Sequence, residues 1–132
     1  MDVELQTVID LNKDAAPDLI IDGIIGYSLQ GAPRGAAADM INWVNRLKTP
    51  VLSLDVPSGM DAGTGEIHSS AIQATATMTL ALPKTGLRKL GAENVGELYL
   101  ADIGVPPELY DNLLPKLQVG PIFQNEQIIR LN

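Results

Sequence analysis

The most informative stretch for the fold of this chain is Val51-Leu52-Ser53-Leu54-Asp55-Val56-Pro57-Ser58-Gly59. Its first four residues follow Pro50 and form a short, mostly aliphatic run, which predicts a strand buried on both faces of a sheet. The strand ends at Asp55, and Pro57 breaks it. An aspartate directly after a buried strand is costly to desolvate unless it is paired or functional.

The turn after this strand is restricted by two residues. Pro57 fixes one φ angle, and Gly59 permits an unusual one. Such a turn can hold a carboxylate, a hydroxyl and backbone carbonyls in a rigid cluster. An alternative remains open here, in which Asp55 only caps the turn by bonding its own backbone.

Strands and helices are predicted to alternate on both sides of this stretch. Residues 19–25, 74–82 and 96–103 predict strands, and 36–48 has apolar residues at helical spacing. A helical turn is expected at 87–90 and a helix over 106–114, whereas the tail 116–132 carries little signal. No repeat or second-domain boundary is found, so residues 1–132 are expected to form a single domain. Strand–helix–strand order implies a parallel α/β sheet with right-handed crossovers.

Charged side chains lie at or near the carboxyl ends of the four predicted strands. Ligands of open α/β sheets bind outside the carboxyl ends of the strands, so these groups are expected to share one edge. One crevice would then hold three carboxylates and one ammonium, from Asp22, Asp55, Asp102 and Lys84. A simpler role for Asp22 is to cap a turn or to pair with Lys84.

The composition excludes several classes of protein. Nine Lys and Arg against 16 Asp and Glu give a net charge of −7, which counts against nucleic-acid binding. There is no cysteine, which excludes disulfides and thiolate metal sites. No run of about 18 apolar residues predicts a membrane span. The N-terminus lacks the pattern of a secretory signal, so a cytoplasmic protein is expected.

The loop after the first strand has the two-glycine spacing of a phosphate-binding loop, from Gly26 to Gly31. Ala32 and Pro33 stand where a P-loop has Lys and Ser or Thr. Alone, the pattern is more typical of an ordinary loop than of a phosphate-binding loop. Its place before the helix that begins near Ala36 favours anion binding, because a helix N-terminus attracts negative charge.

Four stretches together resemble the YjeF N-terminal domain, the NAD(P)H-hydrate epimerase family. They are Asp22-Gly23-Ile24-Ile25-Gly26-Tyr27-Ser28, Leu54-Asp55-Val56-Pro57-Ser58-Gly59-Met60-Asp61, Ala81-Leu82-Pro83-Lys84 with Gly86-Leu87, and Ala101-Asp102-Ile103-Gly104-Val105-Pro106. Their order and spacing match the family over roughly residues 18 to 107. The resemblance implies a Rossmann-like three-layer α/β/α domain with a mostly parallel sheet. It also implies an isomerase that epimerises NADHX and NADPHX, cofactors damaged by a hydroxyl on the ring carbon next to nitrogen.

The resemblance also assigns roles to residues. Asp55 matches the family's substrate-binding aspartate and would act as general acid/base. Asp22 and Ser58 match potassium ligands, and hard oxygen donors suit such a cation. Lys84 would be a further substrate contact. The loop that contacts the dinucleotide is matched by Gly26, Tyr27, Ser28, Leu29, Gln30, Gly31 and Ala32.

One family feature is absent from this sequence. The Asn-Asn-Gly-Gly-Asp-Gly type loop of the family's first half, which supplies a cation ligand and dinucleotide contacts, has no match here. The chain therefore resembles the C-terminal part of the domain, and it is expected to be weakly stable alone or to pair with another chain. A homodimer and a fused or separate NAD(P)HX dehydratase are the expected partners, without nucleic acid or membrane. The alternative is a non-catalytic binding or dimerisation module, as in the family's mRNA-decapping relatives.

Overall fold

The structure, a computed structural model, describes residues 17–27, 29–111 and 119–132. Its centre is a five-stranded sheet in which the spatial order of the strands equals their order in the sequence. The first four strands are parallel and the fifth is antiparallel to the fourth. The strands are β1 (Ile20–Asp22), β2 (Val51–Leu54), β3 (Ala76–Leu80), β4 (Glu97–Ala101) and β5 (Ile128–Arg130). The predicted α/β class with a mostly parallel sheet is confirmed.

Helices lie in three of the connections between consecutive strands, and the connection from β2 to β3, which is described throughout, contains none. They are α1 (Gly35–Arg46), a 3-10 helix (Leu87–Lys89), α2 (Ala92–Val95) and α3 (Pro107–Asp111). The predicted helix over 36–48 and the turn at 87–90 are confirmed within two residues, whereas α2 was not predicted. No helix in the described parts of the chain is long and apolar enough to cross a membrane.

β1 is shorter than the predicted strand over 19–25. Asp22 ends it, because its Oδ1 accepts a hydrogen bond of 3.3 Å from the N–H of Ile24 and turns the backbone away from the sheet. Ile24 and Ile25 pack instead against the core beside α1, where Ile41 and Val44 are buried. The apolar residues of the predicted strand therefore divide between a strand and a packed turn.

The predicted burial of β1 and β2 on both faces is wrong for the described residues. The face that carries Asp22 and Ser53 is buried, and the cores beneath α1 and α2 lie on that side. On the opposite face Ile21 is 61% exposed and Leu54 is 39% exposed. Burial alternates along the strands because successive side chains point to opposite faces.

The tail, for which no element was predicted, contains β5. Residues 128–130 pair with β4, and Arg130 forms an ion pair of 3.2 Å with Glu97. The side-chain oxygen of Asn132 accepts a 2.6 Å hydrogen bond from the N–H of Leu98. A three-residue edge strand is too short to show the periodicity by which strands are recognised in a sequence.

Candidate active site

The carboxyl ends of the four parallel strands meet at one edge, as predicted. Asp22 is the last residue of β1, Asp55 directly follows β2, and Asp102 directly follows β4. Lys84 lies four residues beyond β3. The structure does not gather these four groups in one crevice. It brings two of them together and places the other two in different surroundings.

Asp55 and Lys84 form an ion pair, and both side chains are about one-fifth exposed. Leu80 at the end of β3 holds both partners. Its N–H donates to Asp55 Oδ1 at 3.2 Å, and its carbonyl accepts from Lys84 Nζ at 2.8 Å. The contacts of the carboxylate are thus to the neighbouring strand and to Lys84. The carboxylate of Asp55 is held by residues 80 and 84, outside its own turn.

Two residues at this edge adopt a left-handed backbone that glycine favours. Asp55 has φ of 68°, and Ala81, directly after β3, has φ of 62°. Such conformations cost about 1–3 kcal/mol and persist where the surrounding structure enforces them, commonly at functional sites. The Asp55 N–H donates to Met78 at 2.8 Å, and the Ala81 N–H donates to Ala101 at 3.0 Å. The neighbouring strands therefore hold both strained residues at the edge.

Asp22 lies in a buried network instead, and only 2% of its surface is exposed. Its Oδ2 accepts from the Ser53 hydroxyl at 2.8 Å and from the Ser58 N–H at 2.9 Å. Its Oδ1 accepts from the Ser58 hydroxyl at 2.6 Å. Ser58 Oγ also accepts from the N–H of Ile25 at 2.9 Å and lies 3.2 Å from its carbonyl oxygen. The alternative pairing of Asp22 with Lys84 is therefore wrong.

This network is a cluster of hard oxygen atoms around a single carboxylate. The described residues contain no group of three or more His, Cys, Asp or Glu side chains that could hold a metal ion. The oxygen atoms of Asp22, Ser58 and Ile25 form a donor set of low charge. Such a set matches a weakly charged, hard cation better than a transition metal.

Gly59 completes the turn that carries Ser58. Its φ is 92°, and an added Cβ would lie 2.1 Å from the carbonyl oxygen of Ser70. The turn is tied to this neighbouring segment by the bond from the Ile72 N–H to the Ser58 carbonyl, at 2.8 Å. Only glycine allows both the left-handed backbone and the close approach.

Asp61, beyond the turn, closes a second loop. Its Oδ1 accepts from the Thr64 N–H at 2.7 Å, from the Thr64 hydroxyl at 2.9 Å and from the Gly63 N–H at 2.9 Å. These bonds, the Thr64 N–H above all, hold the pKa of the Asp61 carboxyl below its ordinary value of 3.8. The charged carboxylate thereby fixes the loop that borders the crevice at Gly63.

A crevice of about 280 Å³ opens beside Lys84. We call it the Lys84 crevice. Its walls come from several connections at the carboxyl edge of the sheet, and the residues that carry the argument are Tyr27, Gly63, Ala81, Lys84 and Tyr110. Asp55 does not line the crevice, but it contacts Lys84, which does. The crevice joins the loop after β1, at Tyr27, to the Lys84 end of the ion pair.

The loop predicted to contact a dinucleotide lies between β1 and α1, and Ser28 of that loop is outside the described residues. Tyr27 is 73% exposed and lines the Lys84 crevice. No side chain caps the N-terminus of α1 at Arg34, and the first turn contains no acidic residue. The helix dipole is therefore available to an anion at this end.

Asp102 does not reach the Lys84 crevice. Its Oδ1 accepts a 2.8 Å hydrogen bond from Gly104, and it lines a neighbouring cavity of about 220 Å³. A larger cavity of about 650 Å³ lies between the 3-10 helix and the tail, where Arg88 supplies the charged lining. Among the described residues no carboxylate side chain borders that cavity, whereas the Lys84 crevice lies beside the Asp55–Lys84 pair.

Sequence reasoning missed three contributors to the site. Ser53 supports Asp22, and its signal was a polar residue in an otherwise aliphatic strand. The Ile25 carbonyl joins the oxygen cluster, and Tyr110 lines the Lys84 crevice from α3. Neither of these two carried a signal, because backbone carbonyls and contacts between distant elements are not visible in the order of residues.

Residues 2–86 match the protein family described as YjeF-related protein N-terminus. The chain is 46% identical over 93 residues to a protein of Dehalogenimonas lykanthroporepellens named NAD(P)H-hydrate epimerase, and the match covers 70% of this chain and 37% of that protein. It is 44% identical over 93 residues to the bifunctional NAD(P)H-hydrate repair enzyme Nnr of Moorella thermoacetica, of which 18% is covered. The chain thus spans less than half the length of these relatives.

The fold is shared with a solved structure. The crystal structure of yeast ynu0, YNL200c, superposes with a TM-score of 0.68 over 86% of this chain and 46% of the yeast chain. The sequence identity is 22%, so this likeness concerns the fold alone.

Proposed function

The chain belongs to the family of YjeF-related protein N-termini, and from this premise we propose that it acts in the epimerisation of hydrated NAD(P)H. The substrates would be the R and S forms of NADHX and NADPHX. The observation that carries the proposal is the Asp55–Lys84 ion pair, set at the carboxyl edge of a parallel sheet beside an open crevice. Relatives named NAD(P)H-hydrate epimerase support the choice of substrate.

The ion pair holds a proton acceptor and a proton donor side by side. Epimerisation requires the bond between the ring carbon and its hydroxyl to break, while the lone pair of the ring nitrogen forms a C=N bond. A proton must reach the departing oxygen, which leaves as water. Water then adds to the opposite face of the ring and gives up a proton. The Lys84 ammonium can supply the proton that assists departure, and the Asp55 carboxylate can take the proton that the added water gives up. Transfer of a proton from Asp55 to Lys84 within the ion pair then restores both groups.

The dinucleotide would bind along the loop that precedes α1. Tyr27 connects this loop to the Lys84 crevice, and the uncapped N-terminus of α1 suits the negative charge of a pyrophosphate. Gly26 through Ala32 would contact the dinucleotide, and Lys84 would contact the reacting ring. In this arrangement the dinucleotide would extend from the loop before α1 to the Asp55–Lys84 ion pair.

A potassium ion would be held by Asp22 and Ser58, with the Ile25 carbonyl as a third oxygen donor. The fit rests on the oxygen cluster, in which Ser58 Oγ lies 2.6 Å from Asp22 Oδ1 and 3.2 Å from the Ile25 oxygen. A bound cation would supply positive charge beneath the dinucleotide loop. The hydrogen bonds between Asp22 and Ser58 also hold the turn that follows Asp55. They therefore stabilise the site even without a cation.

The larger protein setting is part of the proposal. Relatives named as bifunctional repair enzymes support an NAD(P)HX dehydratase as a fused or separate partner. The cytoplasm is the proposed location.

The exposed Ile21 and Leu54 support a homodimer, because uncovered apolar surface promotes association. The same apolar face favours the second candidate function, a non-catalytic dimerisation module.

One experiment separates the two candidates. The purified chain would be incubated with (R)-NADPHX, and the S form would be followed by chromatography. Epimerisation above the spontaneous rate, lost in Asp55→Asn, is the result expected for an enzyme. Association of copies without epimerisation or NADPHX binding would favour the module instead.

A further inference from the structure

The Lys84 crevice has two aromatic side chains in its wall, Tyr27 and Tyr110. Tyr27 is largely exposed in the loop after β1. Tyr110 is half-buried on α3, outside the residues matched to the family model. The two tyrosines therefore border the same space from the loop after β1 and from the helix after β4. Only Tyr27 belongs to a stretch with a role proposed above.

Tyr110 also lines the neighbouring cavity of about 220 Å³, which contains Asp102. Ala81 is the other residue that borders both spaces. A side chain that borders two adjoining cavities forms part of the wall between them. Ala81 is held in a left-handed backbone at this position, and such strain is found mainly where structure enforces a functional geometry.

We propose that Tyr110 is a substrate-positioning residue, whose ring packs against the nicotinamide-derived ring of hydrated NAD(P)H in the Lys84 crevice. This inference rests on the proposed function. The reacting ring is uncharged and six-membered, and an aromatic side chain offers a complementary face to such a ring. Contact with Tyr110 would hold the hydroxyl-bearing carbon toward the Asp55–Lys84 pair. Tyr110 takes no part in proton transfer.

The chain offers a clean spectroscopic test, because it contains three tyrosines. Tyr99, the third, lies on β4, lines neither cavity and donates its hydroxyl to Glu97 at 2.5 Å. Tyrosine rings labelled with carbon-13 would be assigned through Tyr→Phe variants and followed by NMR during titration with NADPHX. We expect the Tyr110 and Tyr27 signals to shift and the Tyr99 signal to stay in place. A parallel titration with AMP is expected to leave Tyr110 unmoved.

Variants supply the second measurement. Tyr110→Ala is expected to weaken NADPHX binding about tenfold, while Tyr110→Phe retains the ring and stays within about twofold, as stacking energies imply. Tyr110→Ala should also lower kcat, because the reacting carbon is no longer held toward the Asp55–Lys84 pair, whereas Tyr110→Phe should keep the kcat of the wild type. A shift of Tyr27 without Tyr110, or a shift of Tyr110 by AMP alone, would overturn the positioning role and leave the proposed function intact. If no tyrosine shifts and NADPHX is not epimerised, the proposed function fails and the inference fails with it.

Discussion

The Asp22 carboxylate accepts two hydrogen bonds from Ser58, from its N–H at 2.9 Å and from its hydroxyl at 2.6 Å, across 36 positions of the sequence. This contact joins the end of β1 to the turn that follows β2. Because Asp55 begins that turn, the turn links the buried network of Asp22 to the partly buried ion pair of Asp55 and Lys84. Asp22 thereby influences the geometry of the site without lining the Lys84 crevice.

Replacement of Asp22 by Ala should strongly destabilise the fold. The change leaves the Ser53 hydroxyl and the Ser58 N–H buried without their acceptor, and hydrogen bonds to a charged group contribute about 1.5–3 kcal/mol each. We expect a loss of more than about 3 kcal/mol in the free energy of unfolding, measured in urea. Asp102→Ala is the matched control, since Asp102 is exposed, and it should cost less than about 1 kcal/mol. Equal effects of the two variants would contradict the structural role of the network.

Asp55→Asn should abolish most of the epimerisation of NADPHX. The amide keeps the shape of the side chain, but it loses the charge that holds Lys84 and accepts a proton. A fall in kcat of roughly a hundredfold or more is the size expected for loss of general acid/base catalysis. Asp102→Asn serves as the control and should keep its activity. Near-normal turnover by Asp55→Asn would remove Asp55 from the mechanism.

Removal of potassium should lower the activity and the thermal stability of the chain. Exchange of potassium for tetramethylammonium, which is too large for the Asp22–Ser58 cluster, is the simplest test. The melting temperature should fall in the wild-type chain and should no longer respond to potassium in Ser58→Ala, which lacks one oxygen donor. If neither the activity nor the melting temperature changes on exchange, the proposed potassium site is wrong. Anomalous scattering from zinc at Asp22 would contradict it too.

Gly59→Ala should be far more harmful than its small size suggests. A methyl group at this position would meet the Ser70 carbonyl oxygen at 2.1 Å in a backbone with φ of 92°. We expect a loss of more than about 2 kcal/mol in the free energy of unfolding, since the left-handed backbone alone costs about 1–3 kcal/mol for most residues. Gly63→Ala is the control, because its nearest neighbour is Asp61 Oδ1 at 3.5 Å. A Gly59→Ala chain that unfolds like the wild type would show that the turn can relax.

The four parallel strands and α1 could be predicted from local sequence, and the site only in part. The run from Val51 to Leu54 and the breaker Pro57 determine β2 through backbone preferences that need no distant partner. β5 was missed because its pairing with β4, and not its composition, makes it a strand. Likewise, α3 contributes Tyr110 to the Lys84 crevice through a contact that leaves no trace in the order of residues.

The residues that reach the carboxyl edge of the sheet follow from the sequence alone, because a charged residue lies at the end of each parallel strand or within four residues of it. Only the tertiary structure decided how these residues pair. Asp22 lies in register with Ser53 and points to the buried face, where the hydroxyl and amide of Ser58 meet it. Asp55 lies one residue beyond β2 in a left-handed backbone, beside Leu80, and so it meets Lys84. Alternation along one strand is local, whereas the register between strands depends on packing across the whole sheet.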